Sequence, residues 1–370
     1  MTTETAAGSR LHDLIKLAQE PSSERRRELM RNVTDMFFTT DPPHGSAEMS
    51  LFDDVLGQLA GDMEAAVRAE LAERMAASAK PPLRLIRRLA QDDSIEVARP
   101  VLQGSSALTD DDLLAVATSR GQDHLRAISQ RETVSTVVSH AIVTHGDDTT
   151  LGVLLRNQGA ELSRETHEVV IDRAQENPDL HEAVVGRRNV PPDLLNEMYF
   201  VVEARLRSQI LEKNAGIDPA ELDAALASGR KRVAAGDGAL PADYTAVEAE
   251  VRALAKRNGL TPPVLAGMLR NRETTKFLIS LCELANIDFH TARRILDKRE
   301  LDALAIVCKA ADFDRSLFLT FAVLILDRET NAMGRASEYG ELYASLTREV
   351  AQRTVRFWRL RRTTGDIKAA

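Results

Sequence analysis

Between Ser94 and Val190, the apolar positions form short helical stretches separated by polar breaks, and the same arrangement returns along the chain. Each segment consists of one apolar helix, a short polar break and a second apolar helix. A small or aliphatic residue recurs in the first helix of each segment at steps of 26, 27 and 30 residues, namely at Val101, Ala127, Leu154 and Val184. This period predicts a stack of helical hairpins, each burying its apolar face against the next, as in a HEAT-like α-solenoid.

Apolar residues elsewhere also follow the helical period, and no segment between Leu11 and Arg362 alternates with a period of two. We therefore expect an all-α fold. Within the C-terminal part, the stretch RSLFLTFAVLILDRE is apolar nearly all round, which predicts a central buried helix. The predicted organisation is a polar tail at 1–10, N-terminal helices at 11–80, a helical-repeat array at 81–227, a linker at 228–242, a C-terminal helical domain at 243–362 and a tail at 363–370.

The composition narrows the possible functions. A net charge of −8 and an aromatic content of 4% disfavour a surface devoted to nucleic acid. Cys282 and Cys308 lie in apolar helical runs, so we expect buried thiols rather than a disulfide framework. The N-terminus lacks the apolar core of a secretory signal, and no apolar run approaches the ~20 residues of a membrane helix, so we expect a cytoplasmic protein.

The sequence resembles an alphaproteobacterial family of uncharacterised proteins, domain of unknown function 2336. The stretches that carry the resemblance are IEVARPVL, LLRNQGAELS, FHTARRILDKRELDALAIVCKA and RTVRFWRLRR. The resemblance extends from about Leu11 to Arg362. It implies HEAT-like or leucine-rich-variant helical repeats in the N-terminal part, and it implies no activity for particular residues.

Polar residues close the first helix of each predicted hairpin. Four positions beyond the recurring apolar residues lie Ser105, Arg131, Gln158 and Arg188, with Asn157 beside Gln158. Because stacked repeats bring equivalent positions into a row, these side chains predict a ridge suited to an acidic peptide or helix. An alternative role is to bind the unsatisfied carbonyls at helix C-termini. If the ridge binds a partner, glutamate at both Arg131 and Arg188 is expected to weaken capture without unfolding the protein.

Arginine recurs every three residues on the last predicted helix. The series is Arg353, Arg356, Arg359 and Arg362, with Trp358 among them. A basic helix with an aromatic side chain is suited to phosphates, an anionic membrane surface or an acidic partner. Alternatively, the helix closes the domain with Trp358 in the core and the arginines solvated near the negative helix end.

The sequence contains none of the familiar catalytic signatures: no P-loop, GxGxxG, HExxH, GxSxG or CxxC. His140 and His145 are five residues apart, which gives them different faces of a helix and leaves a metal site without a third ligand. His167 followed by Glu168 resembles the phosphoacceptor segment of histidine kinases, but no ATP-binding region accompanies it. We therefore predict no catalytic residue, no metal ligand and no cofactor.

The leading hypothesis is a non-enzymatic scaffold or adaptor for cytoplasmic protein partners, in bacterial signalling or regulation. A solenoid offers a long surface of rigid helices, which suits this role. One alternative is binding of nucleic acid or an anionic surface through the C-terminal arginines. The other is a cryptic enzyme or a phosphotransfer protein.

Overall fold

The computed structural model describes residues 23–39, 45–61, 63–218, 220–225, 240–326 and 332–358. These residues form α-helices and short 3-10 turns, and none of the described ranges contains a β-strand. The all-α prediction is confirmed. The chain divides into two compact units, Met1–Asn189 (unit 1) and Val190–Ala370 (unit 2).

Unit 1 is built from helices α1 to α11. They are α1 Ser23–Thr39, α2 Ser46–Gly61, α3 Ala65–Ala76, α4 Leu83–Ala90, α5 Ile95–Gly104, α6 Asp110–Ser119, α7 Gln122–Ser129, α8 Thr136–His145, α9 Asp148–Arg156, α10 Arg164–Glu176 and α11 His181–Gly186. A 3-10 turn, Pro178–Leu180, leads into α11. Several helices start at a side-chain cap; Ser135, for example, accepts a hydrogen bond from the Val138 amide at the start of α8.

The helices of unit 1 pack in two series. In the first series, each of α1, α3, α5, α7, α9 and α11 packs against the next. In the second, α2 packs on α4, and α6, α8 and α10 pack one on another. The recurring apolar residues of the sequence all lie in the buried core of the first series. The predicted steps of 26 to 30 residues therefore correspond to successive, stacked hairpins.

The polar breaks of two consecutive hairpins also meet, between α7 and α8 and between α9 and α10. The Val134 amide donates to the Gly159 carbonyl at 3.2 Å, and the Glu161 amide donates to the Val134 carbonyl at 2.8 Å. This is an isolated parallel bridge centred on Val134 and Ala160. A Cβ atom at position 159 would lie 1.9 Å from the Glu132 carbonyl oxygen, so the bridge requires glycine there.

Unit 2 contains helices α12 to α21, together with a helical stretch at 220–225. They are α12 Pro192–Glu197, α13 Ala204–Ala215, α14 Tyr244–Lys256, α15 Pro262–Arg270, α16 Thr274–Ala285, α17 Phe289–Asp297, α18 Leu301–Ala310, α19 Arg315–Ile325, α20 Ala332–Ser345 and α21 Arg348–Trp358. A 3-10 turn, Met198–Phe200, follows α12.

The central helix of unit 2 is α18. Every residue from Leu301 to Cys308 is buried, because α16, α17, α19, α20 and α21 all pack on α18. The sequence instead predicted the apolar stretch that forms α19 as the central helix. That helix buries Leu317, Phe318, Phe321 and Ala322, and its opposite side is only half-buried. The prediction was wrong because α19 packs on α15, α18 and α20 without being enclosed, so its remaining residues stay half-buried or exposed.

Five helices of unit 2 end in a residue with left-handed backbone conformation. These residues are Asn258, Arg272, Asn286, Arg299 and Asp312, with φ between 52° and 62°. In four of these turns the next amide donates to a carbonyl of the last helical turn, at 2.9 to 3.0 Å, which is the Schellman arrangement. The intervals between the five residues are 14, 14, 13 and 13. Each helix of α14 to α18 with its turn therefore takes 13 or 14 residues, about half the length of a two-helix hairpin of unit 1.

The division between the units differs from the predicted end of the array at residue 227. Helices α12 and α13 belong to unit 2 because a buried polar network ties them to α21. The Asn214 side-chain amide donates to Asn196 Oδ1 at 3.0 Å and to Thr354 Oγ1 at 3.1 Å. The predicted linker at 228–242 lies outside the described residues up to position 239, as do the two predicted tails and the segment 11–20.

Both cysteines are buried thiols that form no disulfide, as predicted. Burial raises the pKa of the Cys308 thiol well above its usual range. Across the described ranges, none of the helices combines the length and the apolar character that a membrane crossing needs.

Candidate functional site

Arg131, a residue of the predicted ridge, binds the end of the helix that lies one hairpin earlier. Its Nη1 donates to the Leu102 carbonyl at 2.6 Å, and its Nη2 donates to the Ser105 carbonyl at 2.9 Å. Both carbonyls lie at the C-terminal end of α5, where a helix leaves its acceptors unsatisfied. The side chain is half-buried, and burial lowers the pKa of the guanidinium.

The same contact recurs in the next two hairpins. Asn157 Nδ2 donates to the carbonyls of Ser129 and Arg131, at 2.9 and 2.7 Å, and so closes the end of α7. Arg187 donates to Leu155 and Asn157 carbonyls at 3.3 and 2.8 Å. It also donates to the carbonyl of Ala160, so that it closes the end of α9. We call Arg131, Asn157 and Arg187 the capping row.

Two residues of the predicted ridge, Arg131 and Asn157, bind carbonyls at helix ends, which is the second of the two roles left open. Arg131 and Asn157 have their donors on backbone carbonyls, so glutamate at Arg131 is expected to destabilise unit 1, contrary to the expectation from sequence. Ser105 is also buried, and its hydroxyl accepts a hydrogen bond from the Ala107 amide at 3.3 Å. Gln158 and Arg188 remain exposed and adjacent, since Gln158 Oε1 accepts from the Arg188 amide at 3.2 Å.

Arg187 is the residue that sequence reasoning missed. The spacing selected Arg188, four positions beyond Val184, but α11 ends at Gly186, and the next residue, Arg187, lies against the end of α9. Arg187 is 2% exposed, and burial lowers the pKa of its guanidinium. The carbonyl dipoles at a helix C-terminus stabilise such a buried cation.

Arg173 performs the same task in the second series of helices. Its Nη1 donates to the Val143 and Gly146 carbonyls, both at 3.0 Å, at the end of α8. Its Nε donates to Asp148 Oδ1 at 2.9 Å. Hydrogen bonds from Asn177 and Arg173 lower the pKa of that carboxyl group. Both series of unit 1 are therefore tied from one hairpin to the next by side chains that satisfy helix ends.

The described part of the C-terminal helix has its aromatic residue in the core. Trp358 is buried, with its ring centroid 5.3 Å from that of Tyr199 and 5.0 Å from that of Phe200. Arg353 donates to the Ala215 carbonyl at 2.5 Å and to Glu349 at 2.7 Å. Arg356 is exposed, while Arg359 and Arg362 lie outside the described residues. Trp358 thus has the core position that the sequence left open as an alternative, whereas Arg353 is bound by the Ala215 carbonyl and Glu349 and is not simply solvated.

Two of the histidines considered in the sequence analysis, His140 and His167, contact polar groups of unit 1. His167 is 3% exposed, and its Nδ1 donates to the Ser163 carbonyl at 3.0 Å, so the ring is not presented to a phosphoryl donor. His140 is exposed and its Nδ1 lies 3.1 Å from Thr166 Oγ1. Within the residues that the structure describes, no three His, Cys, Asp or Glu side chains are grouped as a metal site requires.

A buried group of charged side chains in unit 2 has no counterpart in the sequence analysis. Arg207 donates to Asp302 Oδ2 at 2.7 Å and to the Val202 carbonyl at 3.0 Å, and Tyr199 Oη lies 3.4 Å from the same carboxylate. Burial, followed by the charge of Asp302, raises the pKa of Tyr199 well above its usual range, and burial raises the pKa of Glu300. These contacts join α13 to α18, and their pairing and burial are those of a structural cluster.

Comparison with known families matches residues 97–356 to a family described as an uncharacterised protein conserved in bacteria, domain of unknown function 2336. The match covers more than half of the chain. The chain belongs to this family. None of the curated proteins compared with the chain matches it significantly.

Among solved structures, an engineered protein determined by a structural genomics consortium aligns over 95% of this chain and 98% of its own, with 14% identity and a TM-score of 0.24. At that TM-score the alignment carries no argument about the fold. The family match includes the whole capping row, together with Arg353 and Arg356, whereas α1 to α4 precede it.

Proposed function

We propose that this family member is a non-enzymatic interaction scaffold and that unit 1 holds a partner protein. Its hairpins are fixed to one another by the capping row and by Arg173, which makes the outer surface a rigid one. Rigid helical stacks bind partners at low entropic cost because little of the surface has to be ordered on binding.

The outward side of α8 is the observation that carries this proposal. This helix, Thr136–His145, contains no Asp, Glu, Lys or Arg. Its exposed residues are Thr136, Val137, His140, Thr144 and His145, and Val137 is 57% exposed. Single exposed apolar residues are normal, but a surface helix without any ionisable carboxylate, ammonium or guanidinium group is unusual in a soluble protein.

A second exposed valine lies on the neighbouring helix, where Glu165 and Asp172 are exposed as well. Val169 of α10 is 40% exposed, and α10 packs directly against α8. A partner helix whose apolar side lies across α8 and α10 would cover both valines. Gln158 and Arg188, at the ends of the other series of helices, stay predictions as polar contacts for such a partner.

The test is affinity capture of the tagged full-length protein from its own cells, with mass spectrometry, before and after nuclease treatment. The variant Val137→Asp/Val169→Asp places two charges on the proposed surface, and both positions are exposed enough to keep the fold. Val264→Asp is the matched control, because Val264 is 37% exposed on unit 2. Circular dichroism verifies that both variants are folded.

We expect a defined protein that survives nuclease, is retained by the Val264→Asp control and is lost from the double variant. An identical set captured by the double variant would remove the α8 and α10 surface from consideration. A captured set that disappears with nuclease would instead favour nucleic-acid binding through the C-terminal arginines.

A further inference from the structure

Two turns of unit 2 have the same construction but place their glutamates in different environments. The turns at 271–273 and 298–300 follow α15 and α17, and a glutamate is the last residue of each before the next helix. In both turns the glutamate amide donates to a carbonyl of the preceding helix, at 2.9 Å for Glu273 and 3.0 Å for Glu300. Glu273 is exposed, whereas Glu300 is 8% exposed. The same kind of turn therefore holds one carboxylate in water and the other in the interior.

The buried carboxylate of Glu300 is poorly satisfied. Its Oε1 lies 3.8 Å from Arg207 Nη2, which is too far for a hydrogen bond. Its Oε2 has no hydrogen-bond partner among the residues that the structure describes. Glu300 stands at the N-cap of α18, yet its side chain accepts no hydrogen bond from the first amides of that helix. A buried acceptor without a donor is costly, and the cost is larger when the acceptor carries a charge.

The arginines near Glu300 direct hydrogen bonds to other acceptors. Arg207 donates to Asp302 Oδ2 at 2.7 Å, so the closer of its two carboxylate contacts belongs to Asp302. Arg294 donates to the Phe200 carbonyl at 3.0 Å. Two buried carboxylates thus compete for Arg207, and Glu300 has the weaker pairing.

Charged and titratable groups of four elements act on the Glu300 carboxyl group. They are Arg207 of α13, Tyr199 of the 3-10 turn, Arg294 and Lys298 at the end of α17, and Asp302 of α18. Burial raises the pKa of Glu300, the three cations oppose this effect, and the charge of Asp302 adds to it. The folded protein therefore binds this proton more tightly than the unfolded chain. The resulting contribution to stability is complete below about pH 4.3 and is lost as the pH rises through the folded pKa.

The turn before α18 gives the charged form a short route to water. The three residues that precede Glu300, at 297–299, are all exposed, so a small opening of the turn brings the carboxylate to the surface. We propose that Glu300 is a pH-sensitive switch: when protonated it keeps the turn between α17 and α18 closed, and when ionised it loosens that turn. The switch acts at the start of α18, on which five other helices of unit 2 pack. It does not depend on the partner proposed for unit 1.

The experiment is hydrogen exchange with mass spectrometry on the full-length protein at pH 5 and pH 8. The variant Glu300→Gln keeps the shape of the side chain and cannot ionise, and it is followed on peptides that cover 296–304. The matched control is Glu273→Gln, the same substitution at the exposed turn, followed on peptides that cover 269–277. Each variant is compared with the wild type at the same pH, which cancels the chemical dependence of amide exchange on pH.

At pH 8 we expect the wild type to exchange about fivefold or more faster than Glu300→Gln over 296–304, which is the low end of the cost of an unsatisfied buried acceptor. At pH 5 the two proteins should agree within about twofold, because Glu300 then holds its proton for more of the time. Glu273→Gln should match the wild type within about twofold over 269–277 at both pH values, as an exposed position does.

An exchange ratio between the wild type and Glu300→Gln that is the same at pH 5 and pH 8 would overturn the proposal. Slower exchange of the wild type at pH 8 would also overturn it, because the carboxylate would then stabilise the turn. A second measurement needs no variant and covers the case in which Glu300→Gln does not fold. In the wild type alone, exchange over 296–304 divided by exchange over 269–277 should rise from pH 5 to pH 8, and a constant quotient would refute the switch.

Discussion

Arg187 and Arg188 are neighbours in the sequence with opposite environments, which makes them a matched pair for substitution. Arg187 is buried and donates to three carbonyls at the end of α9, whereas Arg188 is exposed. In the variant Arg187→Met, the volume is roughly kept and the three acceptors lose their donor. At about 1 kcal/mol for each hydrogen bond lost, the destabilisation is about 3 kcal/mol.

Two effects oppose each other in this estimate. Removing the guanidinium also removes the cost of burying a charge, which lowers the destabilisation. The carbonyls left behind lie at a buried helix end, where unsatisfied acceptors are costly, which raises it. We therefore keep about 3 kcal/mol, which corresponds to a roughly 100-fold increase in the equilibrium constant for local opening.

Hydrogen exchange with mass spectrometry measures this locally, on peptides that cover α9 and the loop to Ala160. Local opening without global unfolding is visible in such peptides as faster exchange. Arg188→Met should change the free energy of unfolding by no more than about 0.5 kcal/mol, as exposed positions do. If both variants exchange at the wild-type rate over these peptides, the capping row has no energetic role and the reasoning fails.

Two further predictions concern unit 1. Gly159→Ala places a Cβ atom 1.9 Å from the Glu132 carbonyl oxygen, so we expect the free energy of unfolding to fall by about 2 kcal/mol or more and the melting temperature to fall with it. The control Gly104→Ala has no atom within 4 Å of its Cβ and should not be destabilising. Equal melting temperatures for the two variants would contradict the close approach at position 159. Burial lowers the pKa of His167, so the unfolded chain binds the proton more tightly; this contribution to stability is complete above about pH 6.5 and is lost as the pH falls below it. Urea unfolding at several pH values should show His167→Leu losing less stability than the wild type on acidification, and parallel pH profiles would refute the assignment.

The repeat of unit 1 could be predicted from the sequence because burial dictates it. Each hairpin needs an aliphatic or small residue at the same point, so Val101, Ala127, Leu154 and Val184 recur where they pack. The corresponding regularity of unit 2 does not lie in its apolar residues. It lies in the left-handed turns, where Asn, Asp and Arg share a backbone conformation and no side-chain property, so hydrophobic spacing does not reveal it.

The apolar character of a helix did not decide its place in unit 2. The stretch that forms α19 is as apolar as the one that forms α18, yet only α18 is enclosed by helices on every side. The composition of a helix indicates that it packs against other helices. It does not indicate how many helices surround it, because that number depends on the arrangement of the whole unit.

The candidate site was only partly predictable, because the sequence does not define the exact residue at which each helix ends. The ridge positions were counted from the recurring apolar residues, and such a count locates the last residue of a helix only to within about one position. A shift of one residue is the difference between Arg187, which is buried, and Arg188, which is exposed. The contacts of Arg207 with Asp302 join residues 95 positions apart, and no spacing rule brings such a pair together.

The capping row also has a consequence for the order in which the chain is made. Arg131 closes a helix end that lies 26 to 29 residues before it, and Arg187 closes one that lies 27 to 32 residues before it. A ribosome releases the polypeptide from its N-terminus, so α5, α7 and α9 leave the exit tunnel before the residues that bind their last carbonyls do. The ends of these three helices are completed by the next hairpin to be synthesised, so a nascent chain that stops within this part of unit 1 ends in a helix without its capping residue.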